Sequence, residues 1–241
     1  MRQHVYPLAV DALLAAGVHS AVMHGHLMRA FGAMLLLLAG IAPAADPPEV
    51  TEDGLVRVSS SRKVGVYRAP DVPFARYQRV IIGPTISIAF RKGWDRAHPE
   101  LAPQDLESIR ADFARAFRTE LERELVKRGG FAAAADPAPD VIRIDASVKD
   151  LDLAAPDAGK GPAQRTYARS AGKMTVTIEL RDAASGVLIG RLIDFEQTRE
   201  YEEPKLVNQV TNLEDFRIGF ANAARYAREA INVAKTERPR P

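Results

Sequence analysis

The chain has 241 residues, no cysteine, and 33 basic against 31 acidic residues, a formal charge of +2. The missing thiols exclude disulfides, thiolate nucleophiles and thiolate metal sites. The near-balance of charge offers no concentrated basic face of the kind that nucleic acid binding requires.

The first readable element is "MRAFGAMLLLLAGIAPAADPPEV", which starts at Met28. Its apolar run, Phe31 to Ala42, is shorter than the about 20 residues that cross a bilayer, so no transmembrane span is expected. Arg29, the run Leu35 to Leu38, and small Ala42 and Ala44 around Pro43 fit a secretion signal, with cleavage after Ala44 and Ala45 as the new N-terminus. A buried N-terminal helix is the competing reading, and Gly40, Pro43 and the following "ADPPEV" work against it. Leu38-Ala39-Gly40 leads into a lipoprotein-type signal, but Ile41 occupies the place of the lipid-bearing cysteine, so no lipid anchor is expected. Such signals begin close to the initiator, which makes Met28 the expected start and residues 1–27 upstream sequence. The expected location is the periplasm or the medium. Removal of these residues would take His4, His19, His24 and His26 with it and leave His98 alone, so no metal site and no cofactor is expected.

Residues 45–62 mix Pro, Asp, Glu and Ser without periodicity and read as a flexible lead-in. A single ordered domain is expected over 63–236, with a disordered tail at 237–241. "KVGVYRAP" predicts a short strand. "YQRVIIGPTISIAF", Tyr77 to Phe90, predicts a strand with a fault at Gly83-Pro84, since proline cannot donate to a sheet ladder. In the next segment Leu106, Ile109, Phe113, Phe117, Leu121 and Leu125 recur every three or four residues, with Pro103 in the first turn and Gly129 at the close: an amphipathic helix.

"VIRIDASVKDL" alternates Ile142, Ile144, Ala146 and Val148 with Arg143, Asp145, Ser147 and Lys149, a strand dry on one face and wet on the other. The polar stretch "APDAGKGPAQRTYARSAG" predicts a long loop. "KMTVTIELRDAASGVLIGRLIDFEQTREY" predicts a hairpin turning at "DAASG". A last helix is expected with Asn212 as its cap and Leu213, Phe216, Phe220, Ala223, Ala227 and Ile231 facing inward; its alanines predict close packing against a neighbour. The order of elements predicts an α+β fold: a two-layer sandwich whose mixed, mostly antiparallel sheet has about four to five strands, with two long helices on one face. The helix from Pro103 would be a right-handed crossover between two parallel strands.

"DGL" at Asp53 to Leu55, "GVYRAPDVPFARYQRVIIGP" at Gly65 to Pro84, the helix from Leu106 to Leu125, "DVIRIDASVKDL" and "IELRDAASGVLIGRLID" occur in the order seen in a family of bacterial envelope proteins, domain-of-unknown-function family 3313. The chain resembles that family over about Asp53 to Ala234. The resemblance implies an exported protein and a fold, but no activity and no catalytic residues.

No phosphate-cradling glycine loop and no Gly-x-Ser-x-Gly elbow occurs. Carboxylates allow a paired-acid glycan hydrolase, with Glu179 and Asp145 or Asp150 as candidates; cross-strand ion pairs on a solvated face are the plainer account. "FRKGWDRAHP" sets the sole tryptophan among cations, and Trp94, Arg91, Lys92 and Arg96 form the candidate partner-binding set, against the alternative that Trp94 folds back over the sheet. The wet sheet face with Arg143, Lys149, Thr175 and Thr177 is another candidate surface. The expected function is a non-enzymatic envelope domain that binds an envelope protein or glycan. The alternatives are the hydrolase and a small-molecule carrier, the last needing a deep apolar cavity that the alanine-rich helix argues against.

Overall fold

The computed structural model describes residues 49–61, 63–154, 166–207 and 209–237. These belong to one packed unit, Asp46–Pro241. The upstream residues, the signal and the cleavage residues Ala42, Ala44 and Ala45 lie outside the described residues.

In chain order the strands are β1 Val56–Ser60, β2 Val64–Arg68, β3 Arg79–Ile82, β4 Ser87–Phe90, β5 Ala132–Ala133, β6 Val141–Leu153, β7 Thr166–Ala168, β8 Gly172–Asp182, β9 Leu188–Gln197 and β10 Lys205–Val207. The helices are α1 Trp94–Ala97, α2 Pro103–Leu121 and α3 Gln209–Thr236. One sheet of eight strands runs β1-β2-β9-β8-β6-β3-β5, with β4 also on β6, while β7 and β10 pair apart from it. The α+β class and the mixed, mostly antiparallel sheet are as expected, but eight strands replace four to five. Two of the extra strands, β1 and β5, are short edge pieces, and the third comes from the division of one predicted strand; β1 lies in a lead-in expected to be unordered, where Val56–Ser60 pairs antiparallel with β2.

The fault at Gly83-Pro84 divides one predicted strand into two. Ile82 faces Ile144 and Ser87 faces Ser147, so five steps on one chain oppose three on the other and two residues bulge out. Gly83 makes a close approach there: a Cβ would stand 2.6 Å from Asp145 Oδ1 and 3.2 Å from Ile144 O, so a larger residue displaces the Asp145 carboxylate. Both β3 and β4 run parallel to β6, and α2 lies between β4 and β6 in the chain, as a crossover demands.

Helix α2 opens with the Ala102 N–H donating to Asp105 Oδ2 at 3.0 Å and widens into a π-helix over Glu122–Arg128. The chain reverses at Gly130, whose φ of +74° suits glycine. Helix α3 begins at Gln209, not at an Asn212 cap, and Asn212 is buried within it. The two helices meet through phenylalanines: Phe113 and Phe216 rings lie 5.3 Å apart, and Phe117 and Phe220 stack at 4.8 Å. Beneath them Ile142, Ile144 and Val148 of β6 and Met174, Val176 and Ile178 of β8 are buried, so one sheet face carries the core.

Candidate functional site

The tryptophan loop supplies structure at its centre and charge at its rim. Trp94 is 0% exposed, its indole N–H donates to Leu153 O at 3.3 Å, and its ring is stacked between Phe90 and His98. Of the two readings of Trp94, the structure shows the one in which it folds back over the end of the sheet, where a large ring with one N–H is satisfied, and the exposed-contact reading of that residue falls. Arg91, Lys92 and Arg96 do reach solvent, Arg91 paired with Asp152 at 3.0 Å.

The wet face of the sheet carries a ladder of alternating charge. Asp53 pairs with Arg191 (2.7 Å), Arg191 with Glu179 (2.9 Å), Glu179 with Arg181 (2.6 Å), Arg181 with Asp145 (3.3 Å) and Asp145 with Arg143 (2.9 Å). Register produces it, because Asp145, Glu179 and Arg191 stand opposite one another on β6, β8 and β9. Burial on its own would raise the Glu179 carboxyl, but hydrogen bonds from Arg181 and Arg191 outweigh it and hold the group below the usual range. Glu179 and Asp145 thus stand as partners of arginines on the wet face of the sheet. Asp150 is exposed beyond the ladder, with φ +53° at a bulge in β6.

The other face opens where the core ends. Between β1, β2 and β9 and the second half of α3 lies a groove of about 450 Å³, walled by Val58, Val64, Val66, Phe74, Leu192 and Tyr226. Volumes of roughly 300–1,000 Å³ are those of small-molecule pockets. Ala227, Ala230 and Ala234 of α3 border it. Those alanines were expected to close the packing and exclude a cavity; with no side chain beyond Cβ, they leave the space. Arg68 and Glu237 join at 2.5 Å at the groove's border.

A second, polar pocket of about 330 Å³ shares Ser61, Val64 and Tyr226 with the groove and is lined further by Lys63, Asp194, Glu196 and Asn222. Asp194 stands between Val64 and Val176 in the sheet and is 1% exposed. Its carboxyl lies within hydrogen-bond reach of that of Glu196, and its Oδ2 meets no donor among the described residues. Burial first, then the neighbouring Glu196, pushes Asp194 up to about 7, and Glu196 is also raised, by burial above all. Asn222 Nδ2 donates to Glu196 Oε1 at 3.3 Å, and Gly219 lets α3 settle onto Glu196 and Met174, where a Cβ would meet Met174 Cε at 2.8 Å.

Neither acid was among the residues singled out from the sequence. The available signal was phase: in "LIDFEQ" Leu192, Asp194 and Glu196 share the inward parity, so two acids fall where apolar residues belong. Among the described residues no group of three or more His, Cys, Asp or Glu is placed to hold a metal ion, and no helix is long and apolar enough to cross a membrane.

Residues 50–227 match the model of a family described as "Protein of unknown function (DUF3313)". No curated protein matches the sequence. Solved structures that resemble the chain include the PelC dodecamer from Paraburkholderia phytofirmans, 12% identical over 67% of this chain and 95% of that one, with a TM-score of 0.29. A PDZ domain protein from Parabacteroides distasonis is 11% identical, covers 74% of this chain and 36% of its own, and gives a TM-score of 0.36. Likenesses this distant speak to neither activity nor assembly.

Proposed function

We propose that this chain, which belongs to the DUF3313 family, is a non-enzymatic component of the bacterial cell envelope that holds the apolar part of another envelope molecule in the groove beside α3. The observation that carries the reading is the groove: about 450 Å³ open between β2–β9 and α3, walled by valines, leucine and aromatic side chains. Placement in the envelope is supported by the secretion-type stretch from Met28 to Ala44. The non-enzymatic part is supported by the acids themselves. Glu179 and Asp145 are neutralised by arginines, and Asp194 and Glu196 lie within hydrogen-bond reach of each other, too close for a sugar ring to lie between them as glycoside hydrolysis requires.

Calorimetric titration of the full chain with decanol, below its aggregation concentration, tests the groove. Saturable binding that Ala230→Trp abolishes, with the melting temperature retained, is the expected result; no binding by the unsubstituted chain overturns the reading. Location is tested separately, by N-terminal sequencing and intact mass of the protein from each fraction of a Gram-negative host. A soluble periplasmic species beginning at Ala45 supports export, and an intact cytoplasmic chain removes it.

A further inference from the structure

The polar end of the groove holds a charge arrangement that its apolar walls do not require. Asp194 is 1% exposed, its Oδ2 meets no donor among the described residues, and it lines a pocket continuous with the groove through Ser61, Val64 and Tyr226. A buried acceptor left without a donor costs about 1–3 kcal/mol, more when the group is charged. Glu196 on the same strand face accepts from Asn222 at 3.3 Å and lies within hydrogen-bond reach of Asp194. The other charged groups facing the pair are Lys63 in the turn between β1 and β2 and Arg225 on α3. Lys63 is exposed and makes no ion pair with either acid among the described residues, and Arg225 is engaged with Glu229 and with the Tyr226 ring. From β8 only Val176 and Met174 face the two acids. The pair therefore has acceptor capacity and negative charge in excess of what its surroundings answer.

We propose that the molecule held in the groove is a single-chain amphiphile whose head is a cationic amine, with the amine seated against Asp194 and Glu196 and the chain lying along the valine wall; this inference rests on the groove reading above. An ammonium supplies several N–H donors and one positive charge in a volume that a pocket of about 330 Å³ accommodates. Its N–H donors and its charge answer the two carboxyls that line the pocket. A divalent cation fits less well, because hard cations take six or more oxygen ligands and Lys63 at the rim repels a second charge. An anionic head is disfavoured by the same two carboxyls.

The test compares decylamine with decanol on the full chain by calorimetry, each below its aggregation concentration, in two buffers of different ionisation enthalpy at a pH near 6.5. The amine is expected to bind at least about tenfold more tightly than the alcohol, the scale of a charge-assisted hydrogen bond, and to release protons that the alcohol does not. Asp194→Asn with Glu196→Gln should erase both differences while leaving decanol affinity in place. Equal affinity of the two probes with no proton release overturns the amine head and leaves the groove reading standing. Binding of neither probe overturns both. Because the amine-to-alcohol ratio and the proton release are read on the unsubstituted chain, the outcome does not depend on the variant folding.

Discussion

Two acid pairs lie on opposite faces of one sheet and behave in opposite ways. Asp145 and Glu179, facing solvent, are interleaved with Arg143, Arg181 and Arg191, and the guanidinium donors hold Glu179 ionised against its own burial. Asp194 and Glu196, under α3, have Val64, Val176 and Met174 as cross-strand neighbours; burial raises both, and the neighbouring Glu196 adds to the rise of Asp194. Partners decide the outcome, not residue type. The arginine-paired Glu179 favours the folded sheet at neutral pH, while the buried Asp194 and Glu196 work against it.

Asp194→Asn breaks this contrast with the largest effect. Between about pH 4, where an unfolded aspartate titrates, and about 7, where folded Asp194 does, folding takes up a proton. Stability contributed by this group is therefore present at low pH and is lost as pH rises through 7. Denaturant melts at pH 9 should therefore show the variant more stable than the parent, by on the order of 1–3 kcal/mol, the cost of a buried acceptor left without a donor, with little difference at pH 4. A variant no more stable at pH 9 removes the account of Asp194 as a strained acid.

The two pairs also differ in how well the sequence disclosed them. Alternation in "VIRIDASVKDL" placed Asp145 on the wet face, and the hairpin turn at "DAASG" set the register that puts Glu179 opposite it; Asp182 Oδ1 and Ser185 close that turn as an Asx motif. Asp194 followed from the same parity and was passed over, because an acid in an inward position reads as noise until the helix above it is known. The groove was hidden for a related reason. Small residues on a helix mean either close approach, as Gly219 makes on Met174, or unfilled space, as beside Ala230, and only the path of α3 across the sheet distinguishes them. Strands β1 and β5 escaped notice because short edge strands carry too few alternations to register. The β7–β10 pair joins residues far apart in the chain, which periodicity cannot reveal.

Glu179→Gln sharpens the contrast from the other face with a smaller effect and the opposite pH sense. Its folded pKa is depressed, so its contribution is present above the unfolded value and is lost as pH falls through the folded one. Loss of the charged acceptor for Arg181 and Arg191 should cost about 2 kcal/mol at pH 7, less at high salt because the ladder is partly solvated. Denaturant melts at two salt concentrations measure both. Parity with the parent at pH 7 would mean that Arg191 is served by Asp53 alone.

Lys63→Met gives the smallest and most local reading. Lys63 acts on Asp194 and Glu196 through space, lowering both, but it is exposed and high-dielectric water weakens its field. Its removal should raise the Asp194 midpoint slightly, as expected of a unit charge acting through near-bulk solvent, and carbon-13 shifts of the carboxyl through a pH titration follow it. If the midpoint stays fixed, Lys63 does not face the pair in solution and the polar pocket is more open than its lining implies. If it rises, the acids sense the Lys63 cation at the rim of the pocket, through the same field that any second cation seated there would exert on them.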